Sequence, residues 1–150
     1  MAFDPGTTTG YAQFDAQGNY QMLGQFSPKE LDEWAVQVNP GDINIIVYEQ
    51  YIIYPTRKYM KINVGRTRSP ADEAIGVILL GGRRAGAKMV KQPANIKETA
   101  EKWSGVKADT VAHSKSHQID ALNHGIYYLV KQGLIQIPSL TRNKEGPTSS

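Results

Sequence analysis

Ile43–Glu49 reads INIIVYE, a near-continuous apolar run that ends in a carboxylate. A half-buried strand alternates apolar and polar residues, whereas a run without alternation suits a central strand covered on both faces. This segment calls for a sheet with helices on either side. It also sets an acid at the rim of the most apolar strand.

The rest of the chain supplies the layers. Met1–Asp4 is a short apolar strand closed by an acid and followed by a Pro-Gly-Thr-Thr-Thr-Gly turn. Tyr11–Phe14 and Tyr20–Phe26 read as two further strands joined through Gly18-Asn19, a hairpin signature. Ser27-Pro28-Lys29-Glu30 opens a helix in which Ser caps, Pro takes the first helical position and Glu reaches back. Leu31, Trp34, Ala35 and Val38 follow at helical spacing, and Asn39-Pro40-Gly41 stops the helix. Gln50–Arg68 lacks a sustained period, contains Pro55 and reads mainly as a loop. Ser69-Pro70-Ala71-Asp72 repeats the cap signature and starts a helix to about Ala85, with apolar residues on several sides that predict deep burial. Lys88–Lys91 is a short strand, Asn95 caps a helix through Trp103, and a last helix starts within His113–His117 and runs to Gln132, stopped by Gly133.

The order predicts an α/β fold: a mixed five-stranded sheet, an antiparallel meander plus parallel strands, with helices on both faces. Residues 1–137 form one domain, and 138–150 are a polar, aperiodic tail. A length of 150 residues suffices for a buried core. No apolar run approaches the ~20 residues of a membrane span, and no leader-like segment opens the chain, so no membrane role and a cytoplasmic setting are expected. With no cysteine, disulfides and thiolate metal sites are excluded. The formal net charge is only +3, yet Arg57–Lys107 holds 12 Lys/Arg against 4 Asp/Glu. Such segregation predicts one basic surface able to follow a phosphate backbone, although a solvated basic face looks the same in sequence.

Ionisable residues stand at three places where a buried fold would not choose them without reason. Asp4 and Glu49 end the first and fourth strands, and His117 and Asp120 lie three apart on one helix face. Each has an ordinary explanation: a turn former before Pro-Gly, a solvated rim residue, a local hydrogen-bonded pair. Their combination, on these elements, points instead to a divalent metal site, because gathered carboxylates repel and a hard cation relieves them. Two such ions about 3.5–4 Å apart can activate a water and stabilise a leaving oxygen at a phosphodiester.

Here the motifs become specific. FDPGTTTGYA (Phe3–Ala12) resembles the opening motif of the RuvC-type Holliday-junction resolvases, VYEQY (Val47–Tyr51) their strand-end Glu-Gln, and HQIDAL (His117–Leu122) their C-terminal helix. VKQPANIKETAEKWSG (Val90–Gly105) is similar to the stretch that carries a basic residue near the cleaved strand, and Lys97 matches it. The resemblance implies a ribonuclease H-like fold and a homodimer that cuts two strands of a four-way DNA junction. It implies that Asp4, Glu49, His117 and Asp120 bind Mg2+ or Mn2+, with Lys97 as a further catalytic residue. Arg57, Lys58, Lys61, Arg66 and Arg68 in the long loop after Glu49 are candidate phosphate contacts. Ile52 stands where the family often has a junction-wedging aromatic, so Tyr51 and Tyr54 are the candidates for stacking. Such loop variation is familiar in phage-type members.

Other readings start from the same residues. Asp-x-Gly-Thr-Thr also opens actin-like sugar kinases, but 150 residues cannot supply their second domain. His113 and His117 have a helical zinc spacing but no Glu between them to act as base. His124, one turn beyond Asp120, reads as a packing or hydrogen-bonding residue near the site. A related nuclease-fold protein acting on RNA or flaps, or a module that holds junctions without cutting them, would share the same opening motif.

Overall fold

The computed structural model describes residues 1–51, 69–105 and 115–136. Ala2–Asp4 (β1), Thr9–Phe14 (β2), Tyr20–Phe26 (β3), Ile45–Gln50 (β4) and Lys88–Pro93 (β5) form one sheet in the order β3-β2-β1-β4-β5. The first three strands are antiparallel, and β4 runs parallel to both β1 and β5. This is the mixed five-stranded sheet that the element order predicts.

Among the described residues four helices cover it: Pro28–Gln37 (α1), Pro70–Ala85 (α2), Ile96–Ser104 (α3) and Ser116–Lys131 (α4). Successive strand residues face opposite ways. Phe3, Ile46 and Tyr48 therefore pack with Leu31, Ala74 and Ile78 on the α1–α2 side. Ala2, Ala12 and Val47 pack with Ala121, Tyr128 and Leu129 on the α4 side. α3 lies against α4. Ile46, Val47 and Tyr48 are all buried, as a strand covered on both faces requires.

Helix entry follows the sequence at α1 and α2, where Ser27 with Glu30 and Ser69 with Asp72 close full capping boxes behind a proline. It does not at α3, since the Asn95 side chain makes no cap hydrogen bond. α4 ends where expected, with Gly133 in the left-handed region at φ 70°. The deep burial expected of α2 is only one-sided. Ala71, Ala74, Ile78, Gly81, Gly82 and Ala85 face inward, while Glu73, Gly76, Arg83 and Arg84 are exposed and Leu80 is 49% exposed. Gly81 lies against the Trp34 ring of α1 and Gly82 against Met89 and Ile46 of the sheet, so close approach is confined to this inner face.

Among the described residues, the basic side chains of Arg57–Lys107 do not share one face. Lys88 pairs with Ile45 at the start of the parallel strands, whereas Gln92 pairs with Glu49 at their ends, four residues or about 13 Å away. Arg83 and Arg84 precede Lys88 at the end of α2, away from Glu49, and Arg84 Nη2 donates to the Val36 carbonyl at 2.9 Å. Lys102 pairs with Glu98 at 3.1 Å. Proximity in sequence does not give one face when the intervening chain crosses the sheet. Residues 52–68, and the predicted tail, lie outside the described residues.

Candidate metal centre

β1 and β4 lie side by side in parallel, with Phe3 opposite Tyr48. That register, carried one residue further, sets Asp4 beside Glu49. Ala2 and Val47 face α4, so the acids two residues on face it too. α4 then contributes His117 and Asp120, one turn apart. Its first turn seats directly on β2, because a Cβ at Gly10 would overlap the His117 carbonyl. The second glycine of the DPGTTTG turn is thus a contact point that sets the helix height over the strand ends. Gly10→Ala must push backbone against backbone; we expect a loss of about 1–3 kcal/mol, read as a lower Tm, with His117 and Asp120 displaced from Asp4.

Lys97, from α3, stands among the carboxylates. Its Nζ lies 3.2 Å from Asp4 Oδ1, 2.7 Å from Glu49 Oε2 and 3.2 Å from Asp120 Oδ2. Three acids from three elements thus converge on one cation. His117 Nδ1 completes the cluster, 2.6 Å from Asp4 Oδ2.

The electrostatics follow from this crowding. Burial alone would push the Glu49 carboxyl up, but hydrogen bonds from His124 and Lys97, together with their charge, hold it at about 2. Its contribution to stability is therefore present above the ordinary 4.5 and lost as pH falls through about 2. Burial pulls the Lys97 ammonium down, and the charges of Asp4, Glu49 and Asp120 with the Glu49 hydrogen bond more than reverse that, leaving it above its ordinary value. Burial raises Asp120, and the Asp4 and Glu49 charges add to it against the pull of Lys97. The hydrogen bond to Asp4 raises His117 above 6.5, against a smaller effect of burial.

That last shift has a definite sign. A raised value means that the His117–Asp4 pair stabilises the fold fully below pH 6.5 and loses this contribution as pH rises through the raised value. Without metal, the Tm difference between the wild-type chain and His117→Asn should be largest in mild acid and vanish in mild alkali. Equal differences at both ends of the range would contradict the pairing.

The donor set fits a divalent cation: carboxylates and an imidazole surround a position that an ammonium occupies, so the site already selects positive charge. One oxygen or nitrogen each from Asp4, Glu49 and His124 also lie within 4.8 Å of one another. His124 is wholly buried, however, and both ring nitrogens are engaged, Nε2 with Glu49 Oε2 at 3.0 Å and Nδ1 with Gln92 Oε1 at 2.8 Å. It stands behind Glu49 rather than beside the Lys97 position.

All five residues singled out for chemistry in the sequence, Asp4, Glu49, His117, Asp120 and Lys97, meet in this cluster. Tyr51, just past Glu49, is 48% exposed. Tyr54, Arg57, Lys58, Lys61, Arg66 and Arg68 lie outside the described residues. Gln92 carries no signal in the sequence that points to the site. His124 has a supporting place there, signalled by its position on the His117–Asp120 face of α4.

The mixed five-stranded sheet thus carries an acid-rich cluster at the ends of its first and fourth strands. No protein-family model and no curated protein matches the sequence. Among solved structures, the chain is similar to Thermus thermophilus RuvC in complex with a Holliday-junction substrate, with a TM-score of 0.57 and 14% identity over 91% of this chain and 97% of that one. A second Thermus thermophilus RuvC structure matches with a TM-score of 0.52 and 13% identity over the same shares. The described residues thus have a RuvC-like, ribonuclease H-like fold. Among the described residues no helix is long and apolar enough to cross a membrane.

Proposed function

We propose that this chain is a metal-dependent, structure-selective DNA endonuclease that cuts four-way and related branched junctions, acting as a homodimer. The observation that carries the reading is the convergence of Asp4, Glu49 and Asp120, from β1, β4 and α4, on one cation position at 2.7–3.2 Å. Asp4, Glu49, Asp120 and His117 would hold Mg2+ or Mn2+, one ion or two. Such ions supply Lewis acidity for phosphodiester hydrolysis.

The chain's own residues do the rest. Asp4 and Glu49 are fixed by adjacent parallel strands, and Asp120 by a helix seated on β2, so the donor positions are set before any ligand arrives. Lys97, with 27% of its side chain exposed, is a basic group within the site that would meet a phosphate brought to it. The fold likeness to RuvC bound to a Holliday junction supports branched DNA as the substrate class. His117 in place of a fourth carboxylate favours Mn2+ at least as much as Mg2+.

The test compares cleavage of a four-way junction, a flap, a linear duplex and structured RNA by the purified chain with Mn2+. Preference for the junction is expected. Preference for RNA or the flap would assign the same site to the alternative substrate. Binding offers a second check on the loop after Glu49. Neutralising Arg57, Lys58 and Lys61 should weaken junction affinity and lower the log–log salt slope by about 1 for each phosphate no longer neutralised. An unchanged slope would exclude these residues from the interface.

A further inference from the structure

We propose that His124 and Gln92 form a buried positioning pair that fixes the Glu49 carboxylate in the orientation the metal needs. The inference rests on the metal-site reading above.

Three elements build the pair. Glu49 ends β4 and lies opposite Gln92 of β5 in the parallel register. His124 follows Asp120 by one turn of α4, on the face turned to the sheet, and has no solvent exposure. Its Nε2 is 3.0 Å from Glu49 Oε2 and its Nδ1 is 2.8 Å from Gln92 Oε1. Gln92 is itself 6% exposed. Carboxylate and amide oxygens only accept, so the ring donates at both ends, Nε2–H to Glu49 Oε2 and Nδ1–H to Gln92 Oε1.

A buried polar chain of this kind has an alternative that costs less: apolar packing between α4 and β5. Val90, on the same strand and face two residues earlier, packs apolarly against the α4-side core. A free carboxylate at a strand end samples several rotamers, and each must be frozen when a cation binds. The ring, braced from behind by Gln92, holds one. The bond lands on Oε2, the same oxygen that faces Lys97 at 2.7 Å. His124 thus keeps Glu49 turned toward the cation position when the cation changes. Its engaged nitrogens and lack of exposure assign it to Glu49 rather than to the ion. Outer partners of metal ligands commonly act in this way.

The experiment is calorimetric titration with Mn2+, without DNA, on the full chain and on variants whose fold is verified by Tm and circular dichroism. His124→Phe keeps the ring volume and removes both hydrogen bonds; Mn2+ affinity should fall about 10-fold. His124→Gln retains an N–H donor near the Nε2 position and should stay within roughly 3-fold of wild type. In a Glu49→Gln background, His124→Phe should cause no further loss. Should His124→Phe fail to fold, Gln92→Leu carries the test, with roughly a 3-fold loss expected through the ring it braces. Wild-type affinity in folded His124→Phe, or in Gln92→Leu when that variant carries the test, overturns the proposal. So does a full additional loss in the Glu49→Gln background, which would make His124 act independently of Glu49. If the wild-type chain binds no Mn2+, the metal-site reading itself fails, a result distinct from either of these.

Discussion

Asp4→Asn, Glu49→Gln and Asp120→Asn should each reduce junction cleavage by more than about 100-fold, the upper range seen even for outer partners of metal ligands, while junction binding persists. The variants should fold. Each amide still offers an oxygen to Lys97, and each removes one negative charge from a cluster that holds too many. The Lys97 ammonium keeps two carboxylate partners in every case. Binding should survive if, as proposed, phosphates are met mainly by basic residues elsewhere in the chain. The measurement is single-turnover cleavage beside a binding titration in Ca2+ or chelator. A variant that cuts at near wild-type rate would remove its residue from the site.

The second large effect concerns Lys97. Lys97→Met leaves Asp4, Glu49 and Asp120 facing one another without their shared cation. The side chain is neither fully buried nor exposed, so the loss of metal-free stability should fall between the exposed and buried limits, roughly 1–3 kcal/mol. For a chain of this size each kcal/mol lowers Tm by about 2–4 °C. The same substitution removes the competitor for the cation position, so Mn2+ should bind Lys97→Met more tightly than wild type and raise its Tm further. Lower metal-free Tm with a larger metal-induced gain is therefore the expected pair of results. If the metal-free variant is as stable as wild type, the three ion pairs contribute nothing. Weaker Mn2+ binding by the variant would mean that Lys97 supports the ion rather than standing in its place.

Much of this site is legible in the sequence because the fold uses strand ends for it. Apolar strands closed by Asp4 and Glu49 announce the two acids, and the His117–Asp120 spacing announces a helix face. Strand order is less legible: nothing local says that β1 lies beside β4, and only the parallel pairing turns two separate acids into one site. Gln92 is unreadable for the same reason, since it matters only through its register with Glu49. His124 carries a signal, yet a buried histidine on an otherwise apolar helix face reads equally well as packing. Charge misleads where the chain crosses the sheet, as Arg83, Arg84 and Lys88 lie at the far end from Glu49. The burial of α2 misleads because glycine and alanine count as apolar in a pattern while admitting a close neighbour on only one side. Gly10 is the reverse case: its place in the DPGTTTG turn is plain, but its contact with the His117 carbonyl emerges only once α4 is seated on β2.

The most direct test of a metal-dependent junction nuclease is to incubate the purified chain with a labelled four-way junction and Mn2+, and to map the cuts on all four strands. Paired cuts in two opposed strands are expected, abolished by chelator and by Glu49→Gln. Cleavage that persists in chelator, or a folded, junction-binding chain that cuts nothing with either Mn2+ or Mg2+, would contradict that assignment.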